Sequence, residues 1–322
     1  MAQIDPYAWG VRHKADADWF ERNKWDVYIY AHNDTSRVKA LKDLIDAARK
    51  IPVIVPEYGY TKTELDAVFN SSSYIDLRDE IVDENEVAKK VVAELDTSLR
   101  SGGRVAIDIT GFMRPHIFSI LFHLKKYPGL YVDFFYAEPG MYEKKEKTVF
   151  SCGHVREVRQ VSGFQGVHEE DDAEEVLVVG VGYDNGLISR VINDKERAKV
   201  YKILPFPSLS ADMYQQGLLQ LDKCSFSESQ SSESLSHYAS AKDPFSVASE
   251  LSRIYWDLIQ KGLKKNVYLC SLATKPQALG FAIFYLNELE QEPVSVLFPY
   301  SSNYSKETSQ NVGDIWRYKV VM

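Results

Sequence analysis

Two segments of the sequence place a hydroxyl residue, a cation and a proline directly after an apolar run. They are TGFMRP at 110–115 and SLATKP at 271–276. A hydroxyl and a cation at a helix start are typical of a phosphate site, because backbone N–H groups and the positive end of the helix dipole face the anion. The alternative is that the hydroxyl residues only cap helices and the cations lie on a solvated face. Because the pattern occurs twice, we favour ligand binding.

Other polar residues follow the remaining apolar runs of the chain. In open parallel sheets, ligands bind beyond the carboxyl ends of the strands, where loops and helix N-termini converge. We therefore expect ligand-binding residues in these loops of both halves. The candidates in the first half are Asn33, Asp34, Thr35, Ser36, Arg37, Thr110, Gly111 and Arg114. The candidates in the second half are Asp184, Asn185, Ser271, Thr274, Lys275, Ser301 and Asn303.

The carboxylate of Asp108, at the tip of the predicted strand RVAIDIT, is the first candidate for catalysis. Glu57 and His116 are expected near it in the same topology, and such groups can supply an acid–base pair or a nucleophile. An Asp at a strand tip also commonly holds loop amides, so the sequence leaves open whether the protein is an enzyme. The corresponding positions of the second half carry apolar or aromatic residues. Any catalysis is therefore expected in the first half.

The common motifs for cofactors and metals are missing from the sequence. VGVGYDNG contains GxG, but Asn185 stands where the dinucleotide fingerprint GxGxxG requires glycine. There is no GxxxxGK[ST] phosphate loop, no HExxH pair and, among three cysteines, no CxxC pair. We therefore expect no cofactor and no metal ion.

The elements that would position these residues occur twice in the chain. DVYIYAHNDTSRV at 26–38 predicts a strand, a polar turn and a helix, and EVLVVGVGYDNGLISRV at 175–191 repeats that order. Matching landmarks lie at two nearly constant offsets: Asp34 to Asp184 is 150 residues, Pro56 to Pro205 is 149, Arg114 to Lys275 is 161, and Tyr142 to Tyr304 is 162. A duplicated unit with an insertion in its second copy explains this spacing.

Strands that alternate with helices predict parallel sheets with helices on both faces. The expected fold class is α/β, with two tandem Rossmann-like units, each a mostly parallel sheet flanked by helices. The predicted divisions are an N-terminal extension at 1–24, a first unit at 25–150, a linker at 151–175 and a second unit at 176–322, with a Ser-rich insertion at 225–240.

The segment TGFMRP, which follows a strand ending in Asp108, resembles the T-G-G-T-K-P loop of CRISPR-associated Rossmann-fold (CARF) sensor domains. SLATKP matches the same loop by its Thr-Lys-Pro. In that family the loop lies at a dimer interface, where two copies bind a cyclic oligonucleotide messenger, and some members also cut it. Fused pairs of such units occur in the related SAVED sensors of prokaryotic antiviral defence.

The resemblance implies that the two units form an intrachain pseudo-dimer, with a pocket between Thr110 and Arg114 on one side and Ser271 and Lys275 on the other. It also implies that a nuclease effector is a separate protein, because only 18 residues follow Tyr304.

Composition limits the classes of function. With 322 residues, 45% of them hydrophobic, the chain is long enough for two domains. Its net charge of -8 argues against nonspecific binding of duplex DNA, which needs a basic surface. Neither a signal peptide nor an apolar run of membrane-spanning length is found, which predicts a cytoplasmic protein without a membrane partner.

The expected function is sensing of a nucleotide or cyclic oligonucleotide ligand in antiviral defence, through a partner effector protein. One alternative is a phosphodiesterase or hydrolase that uses the strand-tip carboxylates. Another is a structural subunit of a defence complex.

Overall fold

The computed structural model describes residues 5–69, 74–78, 83–142, 151–168, 174–210, 213–224, 235–262, 266–290, 292–306 and 309–322. The helices are α1 (Ala17–Glu21), α2 (Ser36–Leu44), α3 (Lys62–Phe69), α4 (Glu84–Arg100), α5 (Arg114–Leu124), α6 (Asn185–Asp194), α7 (Met213–Asp222), α8 (Pro244–Gln260) and α9 (Lys275–Phe284). The strands are β1 (Val11–Ala15), β2 (Lys24–Ala31), β3 (Asp46–Ile54), β4 (Ile75–Asp76), β5 (Val105–Asp108), β6 (Tyr131–Tyr142), β7 (Ser151–Gln160), β8 (Glu175–Gly180), β9 (Lys199–Pro205), β10 (Leu235–Ala239), β11 (Asn266–Ser271), β12 (Val294–Tyr304) and β13 (Ser309–Val321).

These elements form two compact units. The N-terminal unit comprises Gly10–Cys152 and Ser302–Met322, and its sheet has the order β1-β13-β6-β5-β2-β3-β4. The C-terminal unit comprises Met1–Trp9 and Gly153–Ser301, and its sheet has the order β10-β9-β8-β11-β12-β7. Helices flank both sheets, so the predicted α/β class with two mostly parallel sheets is confirmed.

The parallel part of each sheet is built from the predicted β-α repeats. In the N-terminal unit, β2 pairs in parallel with both β3 and β5, and β5 pairs in parallel with β6. In the C-terminal unit, β8 pairs in parallel with β9 and β11, and β11 with β12. The carboxyl ends of β2, β3 and β5 therefore lie at one edge of the N-terminal sheet, and those of β8, β9 and β11 lie at one edge of the C-terminal sheet. Ligands bind at such an edge in open parallel sheets.

The divisions predicted along the chain differ from the observed units at several points. Residues 302–322, predicted in the second unit, belong to the N-terminal unit, because β13 pairs antiparallel with β6 and with β1. The predicted linker contains β7, a strand of the C-terminal sheet, and the predicted extension contains β1 and α1. The pairing of β13 with β6 satisfies backbone N–H and C=O groups of β6 that would be exposed if β6 were an edge strand. Residues 225–234 of the Ser-rich insertion lie outside the described residues, and 235–239 form β10.

Alternation along β2 decides which side chains face which helix layer. Tyr28 and Tyr30 point to one face, where they join a buried cluster with Val38 and Leu41 of α2. On the same face Phe135 of β6 contacts Trp25 edge-on, with ring centroids 5.4 Å apart. Asp108 occupies the same side of β5 as Ala106, a member of this cluster, so its carboxylate lies under α2 rather than at the surface.

The starts of α2 and α4 are fixed by local side-chain caps. Asp83 caps α4 by accepting hydrogen bonds from the backbone N–H groups of Asn85 and Glu86. Thr35 caps α2 in the same way, through the N–H of Val38. The buried residues of α4 recur every three or four positions, as in an amphipathic helix packed on a sheet.

Candidate functional site

Hydrogen bonds join the loops that leave β2, β3 and β5 in the N-terminal unit. The side-chain amide of Asn33 donates to the hydroxyl of Tyr58 over 3.2 Å, and this hydroxyl donates to the carbonyl of Gly111 over 2.6 Å. The hydroxyl of Thr35 donates to Asn33 Oδ1 over 2.6 Å. Three of the predicted residues, Asn33, Thr35 and Gly111, are thus brought together, and Tyr58 connects them.

Gly111 lies so close to the end of β2 that no other residue fits without rearrangement. A Cβ at position 111 would be 2.2 Å from the carbonyl oxygen of Ala31. The close approach lets the β5 loop cross over the end of β2 and receive the bond from Tyr58.

Asp108 is fully buried and holds the loop that follows it. Its Oδ1 accepts a hydrogen bond from the N–H of Thr110 over 2.7 Å, and its Oδ2 accepts one from the hydroxyl of Tyr28 over 3.2 Å. Burial raises the pKa of Asp108 to about 6, although the bonds from Thr110 and Tyr28 lower it in part. Both carboxylate oxygens are used within the fold, so this geometry does not leave Asp108 open to a substrate.

Thr110 has a different role from the helix-start hydroxyl that the sequence suggests. Its Oγ1 accepts a hydrogen bond from the N–H of Ala137 in β6 over 3.0 Å. Helix α5 begins at Arg114, and its N-cap residue, Met113, provides no side-chain cap. The chain needs three residues after Thr110 to reach the helix, so the hydroxyl joins two strands instead of capping α5.

Arg37 lies inside the unit rather than on its surface. Only 8% of it is exposed, and its Nη1 donates to the carbonyl of Ala137 over 3.2 Å. Its Nε is buried without a hydrogen-bond partner among the described residues. The guanidinium also acts on Asp108, where its charge lowers the carboxyl pKa. A buried cation with an unused donor is a candidate anion-binding group.

The side chains of Glu57 and His116 contact each other at the same edge of the sheet. Glu57 lies in the 3-10 turn Pro56–Tyr58 after β3, and its Oε1 is 3.2 Å from Nε2 of His116, in the first turn of α5. Burial acts to raise the pKa of Glu57, but the charge and hydrogen bond of His116 outweigh it, so the pKa lies below its ordinary value. Glu57 Oε2 and His116 Nδ1 are buried without a partner among the described residues.

The remaining candidates of the N-terminal unit lie at the same edge. Asp34 is partly buried, and the Oγ of Ser36 is buried without a described partner. Arg114 is partly buried at the first position of α5, and Pro115 follows it. Proline is well suited to this position because the N–H of a first-turn residue would have no partner within the helix.

The C-terminal unit repeats the helix start in a different form. Its α9 begins at Lys275, followed by Pro276, and Thr274 is the N-cap. The hydroxyl of Thr274 accepts a bond from the N–H of Gln277 and donates to the carbonyl of Ala241 over 2.6 Å. The helix-start hydroxyl is therefore Thr274, and Ser271 is instead the last residue of β11.

Two buried polar atoms border this helix start. Ser271 is 2% exposed and Gln277 is fully buried, and Ser271 Oγ and Gln277 Oε1 have no hydrogen-bond partner among the described residues. The side-chain N–H group of Gln277 donates to the carbonyls of Ala239 and Ser240, which turns its oxygen away from β10. Buried polar atoms usually find partners, so such atoms at a helix start are ones that a ligand can satisfy.

The other candidates of the C-terminal unit are more dispersed. Asp184 caps α6 by accepting from the N–H of Leu187, and Asn185 is the first residue of that helix. Ser301 is 8% exposed and lies in β12. The side chain of Asn303 lies outside the described residues.

Two residues that tie the loops together were not among the sequence candidates. Tyr58 has no motif that could have identified it, because its role depends on three loops meeting. Gln277 does have a signal: Thr274 and Gln277 fit the capping-box spacing of a hydroxyl residue and Gln three positions later. In the structure its side chain contacts β10 instead of returning to the cap.

Comparison with known proteins gives no identification: no family model and no curated protein matches this chain. Among the described residues, no helix is long and apolar enough to span a bilayer. Within the same ranges, no three His, Cys, Asp or Glu residues are grouped as metal ligands would be.

Proposed function

We propose that the protein binds an anionic ligand of nucleotide type at the carboxyl edges of its sheets and signals through a partner protein. The observation that supports this proposal is the repeated helix start. In the N-terminal unit, β5 lies beside β2 and is followed by α5. In the C-terminal unit, β11 lies beside β8 and is followed by α9. Both helices have a cation at the first position and proline at the second. An anion at such a start gains from backbone N–H groups, the helix dipole and the cation together.

Buried polar atoms without described partners support the same sites. In the N-terminal unit they include Arg37 Nε and His116 Nδ1, and in the C-terminal unit Ser271 Oγ and Gln277 Oε1. All four residues are more than nine-tenths buried. Donors and acceptors of this kind match a phosphate and the polar edges of a base or sugar.

The proposal includes the finer arrangement expected from the sequence. In it the two Rossmann-like units act as an intrachain pseudo-dimer, and one ligand uses both cationic helix starts. The cellular role that accompanies it is a nucleotide sensor of cytoplasmic antiviral defence, with the effector on another chain.

Binding tests this proposal directly. Wild-type protein is titrated calorimetrically with mononucleotides and with linear and cyclic oligonucleotides, and at least one of them is expected to bind. Arg114→Ala and Lys275→Ala should each reduce the affinity for that ligand about 10- to 100-fold, because each removes one charge-assisted hydrogen bond. Unchanged affinity in the double variant would contradict the proposal.

Matched controls exist at the opposite edges of the sheets. Arg100 ends α4 just before β5, and Lys261 follows α8 just before β11, so each lies at the amino end of the strand whose carboxyl end carries the test cation. Arg100→Ala and Lys261→Ala remove the same charges and should leave the affinity unchanged. An equal loss in these controls would mean that net charge, not a site, determines binding.

A second candidate function is hydrolysis of the bound phosphoester, which the Glu57–His116 pair favours. A carboxylate that orients an imidazole is a common acid–base arrangement, and 24% of the Glu57 side chain is exposed. Chromatography of the ligand after incubation with wild type and with Glu57→Gln tests this activity. If wild type converts the ligand and Glu57→Gln does not, the result supports an enzyme. If the ligand stays intact with wild type, the result supports a sensor.

A further inference from the structure

An exposed aromatic cluster lies beside the α9 helix start of the C-terminal unit. It consists of Phe206, the residue after β9, Tyr214 in α7 and Tyr238 in β10. Phe206 and Tyr238 are 54% and 50% exposed. Exposed aromatic side chains that are grouped in this way generally mark a binding surface.

The geometry of the cluster leaves Phe206 open to stacking by a planar group. Its ring stands at 64° to that of Tyr214 and at 76° to that of Tyr238, with centroids 5.3 and 6.3 Å apart. The rings of Tyr214 and Tyr238 stand at 48° to each other, with centroids 6.5 Å apart. No described aromatic ring stacks parallel on Phe206, and half of its surface faces solvent.

Backbone hydrogen bonds hold this cluster close to the helix start. The N–H of Phe206 donates to the carbonyl of Ala239 over 2.8 Å, and the N–H of Ala241 donates to the carbonyl of Pro207 over 2.9 Å. Ala241 in turn accepts the hydroxyl of Thr274 over 2.6 Å. Two hydrogen bonds through Ala241 therefore connect the loop of Phe206 to the N-cap of α9.

The aromatic residues at the corresponding edge of the N-terminal unit are covered instead. Tyr60 is 6% exposed, and the ammonium of Lys306 lies 4.1 Å from its ring centroid while pairing with Glu64 over 2.8 Å. His32 also contacts this ring, with centroids 5.0 Å apart. Open aromatic faces at the strand ends thus distinguish the C-terminal unit.

We propose that Phe206 and Tyr238 form a stacking surface for the nucleobase of a ligand whose phosphate lies at the Thr274–Lys275 helix start. The inference rests on the proposed function and adds to it the group that recognises the base. Base–aromatic stacking tolerates any base, because every base has a π face. The buried hydroxyl of Ser271, at the end of β11, can donate to this phosphate, and Gln277 Oε1, in the first turn of α9, can accept from a hydroxyl group of the ligand.

The test compares adenosine 5′-monophosphate with ribose 5-phosphate, which has the same phosphate but no base. Wild-type protein should bind the nucleotide more tightly, by about 5- to 100-fold for one stacked base. Phe206→Leu should reduce the affinity for the nucleotide to that for ribose 5-phosphate and leave the latter unchanged. Phe206→Trp should retain the preference, and its fluorescence should be quenched by the nucleotide but not by the sugar phosphate.

Trp256, 41% exposed on α8, provides the control for loss of a surface aromatic residue. Trp256→Leu should leave both affinities unchanged. A preference for the nucleotide that persists in Phe206→Leu overturns the stacking surface, while the effect of Lys275→Ala still upholds the proposed function. If neither probe binds at millimolar concentration, the inference fails. If Phe206→Leu instead changes only the oligomeric state measured by sedimentation, the cluster is a protein interface and the inference is also wrong.

Discussion

Replacing Asp108 by Asn should make the protein more stable at neutral pH. Asp108 is fully buried, and burial raises its carboxyl pKa from 3.8 to about 6. A carboxyl group with a raised pKa binds its proton more tightly in the folded state than in the unfolded state. Ionising it therefore costs folding free energy, and this cost grows as the pH rises through the folded pKa.

The size of the effect follows from that shift. At 1.36 kcal/mol for each pKa unit, the cost at about pH 7.5 is about 3 kcal/mol, and at about pH 4.5 it falls to about 1 kcal/mol. Asparagine can keep both contacts, accepting from the N–H of Thr110 and donating to the hydroxyl oxygen of Tyr28. The shift already includes the hydrogen bonds of the carboxylate, so the variant should be more stable by about 3 kcal/mol at about pH 7.5.

Urea unfolding followed by tryptophan fluorescence measures this difference, because Trp19, Trp25 and Trp316 all lie in the N-terminal unit. The gain should shrink as the pH is lowered. Asp66→Asn, a change on the exposed face of α3, should leave stability unchanged at every pH. An Asp108→Asn protein that is no more stable than wild type at about pH 7.5, or a gain that does not depend on pH, would refute the reasoning.

Two further substitutions test the contacts at the edge of the N-terminal sheet. Gly111→Ala should destabilise the protein by about 1–3 kcal/mol, because the added Cβ would lie 2.2 Å from the carbonyl oxygen of Ala31. Gly217→Ala, in α7 with no atom within 4 Å of the new Cβ, should instead stabilise it by about 0.5–1 kcal/mol, and urea unfolding compares the two. Glu57→Gln should destabilise the protein at neutral pH, because the lowered pKa of Glu57 means that its ionised form stabilises the fold above the ordinary pKa. That loss should diminish as the pH falls through the folded pKa of Glu57, and a loss of constant size from neutral to acid pH would show that its charge has no role.

Local sequence determined the strands and helices of the two β-α repeats. A continuous apolar run specified β2, and the spacing of apolar residues after the cap at Asp83 specified α4. Chain order then implied mostly parallel sheets, because strands joined by helices pair in parallel. The sequence also indicated the cationic helix starts at Arg114 and Lys275, because each consists of a cation directly before a proline.

Tertiary structure decided what the polar residues do. Whether Asp108 faces a ligand or the core depends on which helix covers that side of β5, and its burial under α2 makes it a structural group. Tyr58 joins Asn33 to Gly111 because three distant loops meet, and β13 returns to β6 across more than 160 residues of chain. Such contacts have no local signal, because their energy depends on distances between residues that are far apart in sequence.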